Sequence, residues 1–106
     1  MTDDPEFEAH LASLRERFQD GLPAYRDRLA ALRNTLATQT GDDTVRQLRK
    51  VAHELVGSAS MFGFEEIGEQ AALLEEAADR VLDRSDPATA VFTPLRQLLR
   101  EIELNL

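Results

Sequence analysis

Residues 49–64 read RKVAHELVGSASMFGF. Across and just ahead of this stretch, Val45, Leu48, Ala52, Leu55, Ala59 and Phe62 recur in steps of three and four, the period of a helix with one buried face. His53 follows Ala52 directly, about 100° further round the axis, and is therefore turned toward solvent. Arg46, Arg49 and Lys50 precede it on that outward side, and Gly57 follows one turn later. A glycine inside a helix costs about 0.8–1 kcal/mol relative to alanine. Gly68 repeats the feature in the next segment. Without a side chain at Gly57, the backbone of another protein gains access to the imidazole.

The same period continues outward in both directions, and no segment alternates as a half-buried strand does. Asp4 and Pro5 open a helix with Phe7, Leu11, Leu14 and Phe18 on one stripe, and Gly21 is expected to end it. Pro23 opens a second, with Leu22, Tyr25, Leu29, Leu32 and Leu36. The polar run Thr38–Asp43 (TQTGDD) reads as a loop, with Asp42 or Asp43 capping the third helix and Gly63 stopping it. A fourth helix carries Ile67, Ala71, Leu74, Ala78 and Val81. Ser85, Asp86 and Pro87 divide it from a fifth with Val91, Leu95, Leu98 and Ile102. Pro94 predicts a kink in the last helix, or a fresh start capped by Thr93. The expected helices span about 4–20, 23–38, 43–62, 64–83 and 86–105, within one domain over 1–106. One apolar stripe per helix with short connections predicts an all-α fold: an antiparallel up-down four-helix bundle, with the extra N-terminal helix covering one end.

Composition narrows the function classes. A chain of 106 residues has room for one modest core. Its 20 acidic and 12 basic side chains, a formal charge of -8, argue against nucleic acid as partner, since phosphate backbones reward clustered Lys and Arg. The chain has no cysteine, which excludes disulfides, thiolate metal sites and cysteine nucleophiles. The opening MTDDPEFEAH is acidic and polar, unlike a secretory signal, and no apolar run approaches the ~20 residues of a membrane span. A soluble cytoplasmic protein with no membrane contact is expected. His10, the second histidine, sits near the edge of the first stripe as a solvated side chain. Two histidines so far apart, with no shared carboxylate spacing, predict no metal site. No glycine-rich phosphate loop is present, so use of ATP is not expected.

An imidazole suits a different task. In water it titrates near pH ~6.5, so much of it is neutral and nucleophilic at neutral pH. One ring nitrogen attacks phosphorus while a hydrogen bond holds the other. The result is a covalent phosphoryl intermediate that is then given up, with nearby Arg and Lys offsetting its charge.

The stretch resembles the histidine-phosphotransfer (HPt) family, including the phosphorylated domain of chemotaxis-type histidine kinases. The resemblance rests on His53, Leu55, Gly57, Ser58, Ala59, Gly63, Ile67, Ala71, Leu74 and Glu75, with MFGF (61–64) closest to the chemotaxis type. It implies that His53 accepts a phosphoryl group and passes it to or from a receiver-domain aspartate of a two-component phosphorelay. The partners implied are receiver domains of response regulators and a sensor or hybrid histidine kinase. The chain would be a monomeric intermediate without kinase activity or cofactor, with Mg²⁺ expected only in the partner receiver. Arg46, Arg49, Lys50, Val56, Gly57 and Ser60 form the expected docking surface around His53, with Phe64 and Glu65 at its rim.

One position departs from the pattern. The family usually has Lys three residues after the histidine, where this chain has Val56. Arg49 and Lys50 are expected to substitute from the other side, with slower transfer or altered partner choice, and Val56 to add an exposed apolar spot. Two other classes stand beside this reading. A helical interaction module that is never phosphorylated is favoured by Val56 and disfavoured by the joint presence of His53, Gly57 and Gly63. A phosphohistidine phosphatase or metal hydrolase is opposed by the wide separation of His10 and His53, which share no carboxylate spacing.

Overall fold

Asp4 accepts a 3.0 Å hydrogen bond from the backbone N–H of Glu6, and the helix it caps does not stop until Thr38. In the computed structural model, which describes residues 4–39 and 41–106, the expected break at Gly21–Pro23 is absent. A single helix, α1 (Pro5–Thr38), replaces the two expected ones. The reason is phase: Phe18, Leu22, Tyr25, Leu29, Leu32 and Leu36 continue one stripe across the break signals, and Leu22, Leu29 and Leu36 are fully buried. Pro23 is exposed and forfeits one donor to the carbonyl of Gln19. At 34 residues, α1 sets the 50 Å length of the molecule. Among the described residues there is no separate N-terminal helix, and Phe7 is exposed rather than part of a covered stripe.

The remaining described residues form α2 (Asp42–Ala59), α3 (Glu65–Leu82), a short 3-10 helix (Ala88–Val91) and α4 (Phe92–Glu103), with no strand among them. Of the expected loop Thr38–Asp43, Thr40 lies outside the described residues, as does Met1–Asp3 of the acidic start. α2 begins after Gly41 with no side-chain cap. Asp42 is instead gripped by the Arg84 guanidinium at 3.1 and 2.7 Å, and Asp43 accepts from Gln47. Gly63 ends the α2 turn as expected, with φ +88°. The Phe64 N–H bonds to the Ala59 carbonyl and that of Gly63 to Ser60, so the last carbonyls of the helix are satisfied. At the end of α3 the same left-handed position is taken by Arg84, φ 69°, with Ser85 N–H bonded to the Arg80 carbonyl. The expected last helix divides in two. Pro94 falls in the first turn of α4, where an N–H would have no partner in the helix, and Thr93 is not its cap.

α2 packs against α1 and α3, and α4 against α3 and α1, so the core lies between all four. Val45, Leu48, Val51, Ala52, Leu55 and Ala59 of α2 face Ile67, Ala71, Leu74 and Ala78 of α3, all fully buried. Contacts between these two helices pair Asp42 with Arg84, Arg49 with Asp79 and His53 with Glu75, so residue numbers rise along one as they fall along the other. Gly68 belongs to this packing. A Cβ there would stand 2.6 Å from Ser60 Oγ, so it serves the approach of the helices rather than access to His53.

Candidate functional site

The buried pair Val51 and Ala52 anchors the middle of α2 and leaves His53 pointing outward, its side chain 75% exposed. Its Nδ1 lies 2.7 Å from Oε2 of Glu75 on α3, a carboxylate only 22% exposed. An ionised carboxylate only accepts hydrogen bonds, so this contact places a proton on Nδ1, and in the neutral ring the lone pair is then on Nε2. The ring is thereby held in one orientation and one tautomer. Glu75 is a single carboxylate beside His53 rather than a cluster of Asp or Glu. Spacing along α2 does not reveal Glu75 as the partner of His53, because the contact depends on how α2 and α3 are paired.

Arg46, Arg49, Lys50, His53 and Glu75 line one shallow hollow of about 340 Å³. Helical side chains lean toward the N-terminus, so the imidazole tilts over the turn that carries Arg49 and Lys50. Arg49 is engaged by Asp79 of α3, whereas Arg46 and Lys50 make no ion pair among the described residues. On the other side of His53, Gly57 is exposed and a Cβ built there would meet nothing within 4 Å. Close helix packing therefore does not explain this glycine. Ser60 is exposed one turn further on.

Val56 does not lie fully on this surface. It is half-buried and packs against the core, so it is not the exposed apolar spot expected. The exposed apolar side chain at that end of α2 is Met61, 69% exposed, which the reading of the sequence missed. Phe64 is half-buried, its ring 5.2 Å from that of Phe18, and Phe62 lies 5.7 Å from the same ring. Arg15 of α1 donates to the Phe62 carbonyl at 3.0 Å. The N-terminal part of α1 thus braces the turn after α2, while Glu65 remains exposed. His10 is exposed on α1. Among the described residues no group of three His, Asp or Glu is placed to hold a metal ion, and no helix is long and apolar enough to cross a membrane.

The shifted carboxyls lie elsewhere. Hydrogen bonds from Arg84 hold Asp42 below the usual carboxylate range, and those from Ser85 do the same for Asp83. Both belong to the end of the α2–α3 pair remote from Gly63. On α1, burial and then the Glu54 carboxylate push the Tyr25 hydroxyl up.

Neither the curated proteins nor the solved structures include a match to this chain. Among known families, the Hpt domain matches over residues 8–105, a span that holds His53 and every residue of the hollow around it. With that match over nearly its whole length, the chain belongs to the Hpt domain family, the phosphotransfer domains of two-component signalling.

Proposed function

We propose that the chain carries a phosphoryl group on Nε2 of His53, between a phosphorelay donor and a receiver-domain aspartate. The observation that carries this reading is the 2.7 Å contact between Nδ1 and Glu75, which frees Nε2 on the exposed side of the ring. In the forward step the Nε2 lone pair attacks phosphorus of a receiver's aspartyl phosphate. The N–P bond forms as the P–O bond breaks, and the bonding pair leaves on the aspartate carboxylate. The ring becomes positive with its proton still on Nδ1, facing the Glu75 carboxylate. Return transfer reverses each change. The partner supplies Mg²⁺ and most of the charge stabilisation that phosphoryl transfer needs, while this chain supplies position and a reachable nitrogen.

Arg46, Arg49, Lys50, Gly57 and Ser60, with Val56 at the edge, form the proposed docking face. The open space at Gly57 supports it. Hpt domains act with receiver domains and histidine kinases as carriers rather than kinases. We read this chain likewise, as a cytoplasmic monomer and a single domain. We also take its helices to run up and down in turn. The pairings Arg15 with Phe62, Arg28 with Glu54 and Gln19 with Asn105 support that arrangement.

Val56 favours a second reading, a helical module that binds a kinase or receiver without being phosphorylated. The two separate cleanly. The chain is incubated with a phosphorylated receiver or an active sensor kinase, and acid-labile, alkali-stable phosphate is measured. Label lost in His53→Gln and kept in His10→Gln is expected. Absence of label with every cognate donor would establish the binding module instead.

A further inference from the structure

Arg49 stands in two neighbourhoods at once. It lines the hollow around His53, and its Nε pairs with Asp79, one turn beyond Glu75 on α3. Both partners of that pair are about half exposed, at 50% and 53%. Exposed pairs of this kind are weak and easily exchanged. A phosphoryl group on Nε2 brings a charge of about −2 and three acceptor oxygens, and the tilt of the imidazole places it over the turn that carries Arg49. On the C-terminal side of His53, Val56, which packs against the core, and Gly57 supply no cation.

We propose that Asp79 is a positioning residue that sets how much of the Arg49 charge reaches a phosphoryl group on His53. This role presupposes that His53 is the carrier, as argued above. In the unphosphorylated chain Asp79 holds the guanidinium toward α3, beside Arg46 and Lys50, which make no ion pair among the described residues. On phosphorylation the guanidinium turns from Asp79 to the phosphoryl oxygens. Asp79 competes throughout, so it keeps the phosphorylated state less stable than the cations alone would make it. That bias favours onward transfer. No bond to phosphorus is made or broken by this exchange; only the partner of Arg49 changes.

The test is a double-mutant cycle on the full chain, read as the equilibrium partition of radiolabel between His53 and a receiver domain carrying labelled aspartyl phosphate. Direct labelling of His53 with phosphoramidate serves as a control that needs no partner. Asp79→Asn is expected to shift the partition toward His53 by about two- to fivefold, the range of an exposed ion pair. Arg49→Gln shifts it the other way, and Asp79→Glu restores the wild-type value. In the Arg49→Gln background, Asp79→Asn should change nothing. A shift that persists in that background would show that Asp79 acts by its own charge and would overturn the proposal, as would no shift in the single variant. If phosphoramidate and receiver both leave the wild type unlabelled, the carrier reading itself fails, and this role with it.

Discussion

Glu75 gives His53 both an orientation and a counter-charge, and substitutions separate the two. In Glu75→Gln the amide oxygen still accepts from Nδ1, so the ring stays in place, but the positive ring formed on phosphorylation loses its anion. Charge-assisted hydrogen bonds are about twice as strong as neutral ones, so a loss of about tenfold in transfer rate is expected, with Glu75→Leu slower still. Rapid-quench transfer from a phosphorylated receiver measures both; a Gln variant as fast as wild type would show that the charge is unused. Gly57 permits a test with opposite signs in stability and activity. A Cβ at this position meets nothing within 4 Å. Gly57→Ala should therefore stabilise the helix by about 0.8–1 kcal/mol, raising Tm by about 4–8 °C per kcal/mol, while slowing transfer as the docking clearance narrows. Gly57→Leu should remain folded and block transfer. Thermal unfolding followed by circular dichroism, beside the same kinetic assay, reads the two effects separately.

At the scale of the helix, α1 shows a local signal overruled by a tertiary one. An interior proline costs ~3 kcal/mol in an isolated helix, and Gly21 lies two residues before Pro23. The segment stays helical because Leu22, Leu29 and Leu36 are buried against the bundle, and a break would turn one half of the stripe out of register. Pro23→Ala restores the missing donor at an exposed position, so an increase in stability of about 1 kcal/mol or more is expected. Urea unfolding checks it; an unchanged or lowered midpoint would mean that α1 does not bear the proline as a defect. The same contrast separates what could be read from the sequence from what could not. The period of three and four exposed the buried faces of α2, α3 and α4, the outward turn of His53 and the stop at Gly63, because each is encoded within one helix. Hidden from it were the continuity of α1, the half-burial of Val56, and the partners Glu75 of His53, Asp79 of Arg49 and Arg84 of Asp42. Each of those depends on which helix lies alongside, and at what register, and spacing along one segment does not record that.

For the molecule as a whole, an excess of acidic over basic side chains, with a net charge of -8, makes the placement of its cations decisive. Arg46, Arg49 and Lys50 are gathered at the hollow beside His53. At one end of the α2–α3 pair Arg84 takes a left-handed backbone that is uncommon for a residue with a side chain, and from there forks onto both oxygens of Asp42. This clasp ties the start of α2 to the end of α3, while Gly68 and Ser60 bring the other ends together, so the register that sets Glu75 opposite His53 is held from both sides. Its pH dependence follows from sign alone. Asp42 is held below the carboxylate range in the folded chain, so the unfolded chain binds the proton more readily. The contribution to stability is then complete above the unfolded value, near pH ~4, and is lost as pH falls through the lower folded value. Asp83, lowered by its bonds from Ser85, acts in the same direction. Asp42→Asn removes the titrating group and the ion pair together. The variant should therefore have a lower Tm than wild type at pH 7, and the gap should narrow as pH falls below the ordinary carboxylate value and wild type loses the same contribution. A gap of constant width across that range would show that the clasp holds the register through its hydrogen bonds alone, without the carboxylate charge.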